Sequence, residues 1–127
     1  GNSAIVRQTD DSQRNRTDIT QEANGQTALV LQQLQSRDNR ATVGQVGAFG
    51  FANINQVDKS VNNQAIADQT TTASGSYATI NQTDQSTHNR AQISQSGSVD
   101  AALINQSTQS ANNDALIRQG VGGVNNS

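Results

Sequence analysis

The residues in this sequence that could do chemistry are few, and their spacing argues against most of it. Asp10, Asp11, Asp58 and Asp84 are clustered acids of the kind that bind calcium or work as paired carboxylates in hydrolysis. Calcium-binding solenoids use Gly-Gly-x-Gly-x-Asp nonapeptides, and the sequence has none. Asp10 and Asp11 lie side by side in the chain, with no pocket implied. The single histidine, His88, excludes a histidine metal cluster and reads as an exposed turn residue. Ser12, Ser36, Ser60, Ser86 and Ser110 recur regularly but without a His or Lys base in each repeat, so hydrogen bonding within a turn is their natural reading. Arg16, Arg40 and Arg90 share a repeat position that could form an anion-binding stripe. Gln64 and Asp114 interrupt it, and a solvated face explains it as well. With no Cys there is no disulfide, thiolate metal site or thiol nucleophile. The expectation is therefore no enzyme, no metal and no cofactor.

The abundant chemistry is the side-chain amide. The chain of 127 residues holds 18 Gln and 15 Asn, about a quarter of the total. Hydrophobic residues make up 31% and aromatic residues 2%, well below the usual roughly 45–50% apolar content. Charged residues are 14% and the net charge is −2, so neither a highly charged disordered chain nor a nucleic-acid surface is implied. Proline is absent, as a sheet interior requires. No apolar run approaches the ~18 residues of a membrane-spanning helix. The start at Gly1, without an initiator Met or signal peptide, leads to the expectation of a mature portion of a longer precursor.

The amides are periodic. A seven-residue unit, Asn-x-Ala-x-(Ile or Val)-x-Gln with substitutions, occurs ten times, the first at Asn2, Ala4, Val6 and Gln8. Its closing glutamines are Gln8, Gln21, Gln32, Gln45, Gln56, Gln69, Gln82, Gln95, Gln106 and Gln119. Successive steps are 13 and 11 residues, one 11 being stretched to 13 by the insert from Thr70 to Gly75. The full period is thus about 24 residues and holds two units. Five periods cover 2–25, 26–49, 50–75, 76–99 and 100–119, leaving 120–127 as a C-terminal tail. Within a period, a six-residue connector with Ser in fourth place alternates with a second connector, four residues long except for the insert Thr70–Gly75, that always carries Gly, which suits a positive φ. The unit after the six-residue connector always opens with Asn: Asn15, Asn39, Asn63, Asn89 and Asn113.

Marked residues fall at every second position, which is strand periodicity. The predicted fold is all-β: a two-strand-per-rung β-solenoid, cross-β and amyloid-like, of about five rungs. Inward positions carry the glutamines, small Ala, and a thin apolar row including Ile19, Ile54, Ile80, Ile93, Ile104 and Ile117. Inward amides are costly if isolated, but each can donate to the same amide one rung away. A slip of one residue would turn Ile and Ala outward, so the pattern also sets register. Neither end of the repeat array leaves room for a cap, and open edges are templates for another chain, so end-to-end self-assembly is expected. The first strand type turns Ile5, Leu29, Leu31, Phe51, Tyr77 and Leu103 outward, and Leu29, Leu31, Phe51 and Tyr77 are candidates for lateral contact with another fibril. The second turns out mostly charges: Arg16, Asp18, Arg40, Asp68, Arg90, Asp114 and Arg118.

This pattern resembles the curlin repeat of curli fibres, an extracellular functional amyloid of Gram-negative biofilms. That family repeats Ser-x5-Gln, a Gly-rich link and Asn-x-Ala-x3-Gln. Asn15, Asn39, Asn63, Asn89 and Asn113 match the family Asn, and Gln21, Gln45, Gln69, Gln95 and Gln119 its closing Gln. Gln8, Gln32, Gln56, Gln82 and Gln106 match the Gln of the other strand type. Ala41, Ala65, Ala91 and Ala115 match its Ala, whereas Thr17 departs, and only Ser76 agrees at its Ser. The period is also longer and Gly scarcer here. The resemblance implies a homopolymer on the cell surface of a Gram-negative-type bacterium, with adhesion and biofilm roles. It also implies curli-type secretion and nucleation proteins as partners. The rival readings are a monomeric solenoid module, either an adhesin fragment or an ice-binding protein. The latter needs an outward Thr-x-Thr ladder, and only scattered Thr27, Thr42 and Thr79 are present.

Overall fold

A computed structural model describes residues 1–70 and 74–120. Ten six-residue strands run along it: β1 (Ser3–Gln8), β2 (Arg16–Gln21), β3 (Thr27–Gln32), β4 (Arg40–Gln45), β5 (Phe51–Gln56), β6 (Gln64–Gln69), β7 (Tyr77–Gln82), β8 (Arg90–Gln95), β9 (Ala101–Gln106) and β10 (Asp114–Gln119). Each begins at the second residue of its seven-residue unit, because the opening residue belongs to the corner. Odd strands form one parallel sheet in the order β1-β3-β5-β7-β9, and even strands a second, β2-β4-β6-β8-β10. The chain is a β-solenoid of five turns, with two strands and two arcs per rung, and no helix occurs among the described residues.

Every rung pairs in register: Gln8 with Gln32, Gln32 with Gln56, Gln56 with Gln82, and Gln82 with Gln106. The 26-residue third period does not disturb this, because its extra residues lie in the arc between β6 and β7. The strands of the middle rungs alternate buried and accessible residues. The two inner faces meet over Ala28, Ala52 and Ala78 from one sheet and Ala41, Ala65 and Ala91 from the other, all fully buried. These small residues let the sheets approach. Val30, Ile54 and Ile80, with Val43 and Ile93 opposite, fill the space beside them.

The arcs continue the ladder rather than merely connecting strands. In the six-residue arc the third residue donates its N–H to the second residue's carbonyl one rung back, as Gln35 does to Asp10 (2.8 Å) and Lys59 to Leu34 (2.9 Å). The fifth residues, from Gln13 through Arg37, Val61 and Thr87 to Ala111, form a row of parallel bridges. This stacking holds the second, third and sixth residues left-handed in every rung, although none is Gly. Asp and Asn tolerate that conformation, but Leu34 and Thr108 have no intrinsic reason to adopt it.

The Gly-bearing arc is a partial correction to the sequence reading. Its last residue is left-handed in all four instances, but Gly occupies it only at Gly25 and Gly75; Phe49 (φ 56°) and Val99 (φ 58°) take it elsewhere. A β-branched residue there carries a steric cost of about 1–2 kcal/mol, and half of the Val99 side chain lies in solvent. Val99→Gly is therefore expected to stabilise the fold by about 1 kcal/mol, after subtracting the added freedom of Gly in the unfolded chain. A raised denaturation midpoint by circular dichroism checks this; a lowered midpoint refutes it. Residues 71–73 of the expected insert, and 121–127 of the expected tail, lie outside the described residues.

Candidate functional site

The polar interior is built from two glutamine rows and one asparagine row. In the odd sheet Gln32 donates from Nε2 to Gln56 Oε1 (2.8 Å), Gln56 to Gln82 (2.9 Å) and Gln82 to Gln106 (2.9 Å), with Gln8 donating to Gln32 at the start of the row. In the even sheet Gln21, Gln45, Gln69, Gln95 and Gln119 form the same chain over 2.9–3.0 Å. Nε2 also reaches main-chain carbonyls on the even side of the rung: Gln56 donates to Arg40 O and Asn63 O, both at 3.2 Å. Each glutamine therefore joins neighbouring rungs and clamps the two sheets together. Donation always runs toward the C-terminal rung, so the rows are polar, with an accepting end at β1 and β2 and a donating end at β9 and β10.

The asparagines work differently from the expected amide-to-amide ladder. Asn39 Nδ2 donates to Ser60 O and Ser60 Oγ (both 2.9 Å), and Asn39 Oδ1 accepts from the main-chain N–H of Asn63 (2.8 Å). Asn15, Asn63 and Asn89 repeat this with Ser36, Ser86 and Ser110. The side chain is one methylene shorter than Gln and sits at the corner, so its amide bonds the next rung's backbone instead of the next amide. Ser36, Ser60 and Ser86 are fully buried. Their invariance in the sequence was the available signal; the partner, 21 or 23 residues away, was not readable from spacing.

The six inward isoleucines differ in burial along their rows. Ile54, Ile80 and Ile93 are fully buried, Ile104 nearly so, and Ile19 and Ile117 are half-buried at the rows' ends. Of the lateral candidates, Leu29, Leu31 and Phe51 are half-buried on the outer face, while Tyr77 is exposed and stacks obliquely on Phe51, ring centroids 5.9 Å apart. A separate amide row crosses this face, Asn55 donating to Asn81 and Asn81 to Asn105, each at 2.7 Å.

The charged candidates lie on the outside. Asp10, Asp58 and Asp84 occupy one arc position, and Asp11 is beside them, lining a hollow with Leu34 and Lys59. Among the described residues no group of three or more His, Cys, Asp or Glu side chains could hold a metal. His88 is exposed, with Nε2 3.4 Å from Asn62 Nδ2. Arg14 and Asp38 form a two-pronged ion pair between the first and second rungs (2.6 and 2.7 Å). The Arg14 hydrogen bond holds the Asp38 carboxyl below its ordinary range. Asp18 takes Arg16 at 2.9 Å and Arg40 at 3.6 Å.

The two ends of the solenoid are unlike its middle. Every residue of β1 is exposed, including the inward-facing Ala4, Val6 and Gln8. Val6 is 45% exposed, whereas Val30 and Ile54 in the same row are 0%. Among the described residues no donor meets Gln8 Oε1, and Gln106 Nε2 finds main-chain carbonyls but no further glutamine. Residues 13–47, spanning β2, β3 and β4, match the family model of the curlin associated repeat. No curated protein and no solved structure matches the chain.

Proposed function

From a chain whose residues 13–47 are a curlin associated repeat, we propose a structural subunit of an extracellular functional amyloid fibre, assembling end to end with copies of itself and serving biofilm matrix and surface adhesion. The observation that carries this reading is the exposed inner face of β1. Its apolar and glutamine rows have the composition of the buried rows above them, yet end exposed at Val6 and Gln8. A second copy placing its β9 and β10 below β1 and β2 would cover both rows. Ile104 would lie against Val6, and Gln106 Nε2 would donate to Gln8 Oε1. Heterologous contacts of this kind, which do not close on themselves, generate filaments. Secretion and nucleation proteins of the curli type are the partners this reading carries. The outer face with Leu29, Leu31, Phe51 and Tyr77 is its surface for lateral contact.

The test is to dilute denatured chain into buffer, follow thioflavin fluorescence and image the product by electron cryomicroscopy. Unbranched fibres with a ~4.8 Å repeat and five rungs per subunit are expected. A persistent soluble monomer rich in β-structure would overturn the reading in favour of a self-contained solenoid module.

A further inference from the structure

The outward row at the start of the even strands reads Arg16, Arg40, Gln64, Arg90 and Asp114 in successive rungs, paired in register. Three of its five members are cationic, and its one acid stands in the last strand. Asp114 is exposed and belongs to no ion pair among the described residues. At the other end, the Arg16 side chain is 67% exposed. Within one chain the two lie four rungs apart, about 19 Å at the rung spacing of ~4.8 Å, beyond the Debye length of roughly 10 Å at moderate salt.

We infer that Asp114 and Arg16 form a charge lock across the junction between two copies of this chain. The inference rests on the end-to-end reading and adds the pair that selects the joining surfaces. Continuing the register places Asp114 of one copy beside Arg16 of the next. The row then reads Arg90, Asp114, Arg16, Arg40, with the acid flanked by bases on both sides. Without that acid the junction would bring Arg90 and Arg16 into a row of like charge. The lock sits on the solvent face, so its main effect falls on the encounter and its salt dependence rather than on the dry core.

The test is seeded elongation of full-length chain at low and high salt. Asp114→Arg is expected to slow elongation on the order of tenfold at low salt, and Arg16→Asp similarly. The double variant, Asp114→Arg with Arg16→Asp, is expected to recover to near the wild-type rate. That recovery cannot arise within a monomer: Arg at 114 still crowds Arg90, and Asp at 16 still faces Asp18. Asp114→Asn, which adds no new charge, is expected to slow elongation less and to flatten the salt dependence. Elongation of Asp114→Arg at the wild-type rate overturns the lock while leaving the fibre reading intact. So does a double variant as slow as the singles. Failure of the wild-type chain to form fibres at all instead removes the fibre reading.

Discussion

Gln56→Glu is expected to destabilise the solenoid by about 3–5 kcal/mol at neutral pH, the cost of leaving a buried charge uncompensated. Gln56 is fully buried, and its Nε2 sits 2.9 Å from Gln82 Oε1 and 3.2 Å from the carbonyls of Arg40 and Asn63. The isosteric carboxylate replaces that donor with an oxygen facing three acceptors, while Gln32 Nε2 can still bond its other oxygen. Burial and these acceptors favour the protonated form, so the variant's folded-state pKa is raised above the ordinary Glu value of about 4.3. The penalty is then present above the folded-state pKa and fades as pH falls toward the unfolded value, because a carboxylic acid restores one donor. Denaturant midpoints of variant and wild type should diverge at pH 7 and converge near pH 4. Equal midpoints at pH 7 would show that the glutamine row contributes little.

Ile54→Ala is expected to cost about 3–4 kcal/mol, through lost transfer energy and the cavity left behind. Ile54 is fully buried, with Val30 and Ile80 directly in register on either side. The ladder holds both neighbours at fixed spacing, so the site has little freedom to collapse. Ile117→Ala, at the half-buried end of the opposite row, is expected to cost clearly less in the monomer. Midpoints by circular dichroism check the order. Equal losses would mean that the end rows are packed as tightly as the middle.

The strands, their pairing and the inner face were legible because each is written locally and repeated. Alternation over seven residues identifies a strand, and glutamines about 24 residues apart set the register. The thin core followed from Ala beside Ile or Val. The corners were less legible. Leu34, Thr108 and Val99 carry no sign of a left-handed backbone, because stacked main-chain hydrogen bonds impose it against their own preference. The asparagines were identified by type and place, but their bonds to Ser60 and its equivalents depend on the corner's shape.

By itself, then, the sequence determined a five-rung parallel solenoid with an amide-lined interior: a period-2 pattern repeated in phase has one economical way to bury its Ile and Gln. Only the tertiary structure decided the direction of donation along the glutamine rows, their cross-bonding to the opposite sheet and the exposure of Val6 at the end of a row buried everywhere else. Those features depend on where a side chain meets a backbone from another rung or the other sheet. That distance is set by how the arcs fold and how closely the alanines let the two sheets approach.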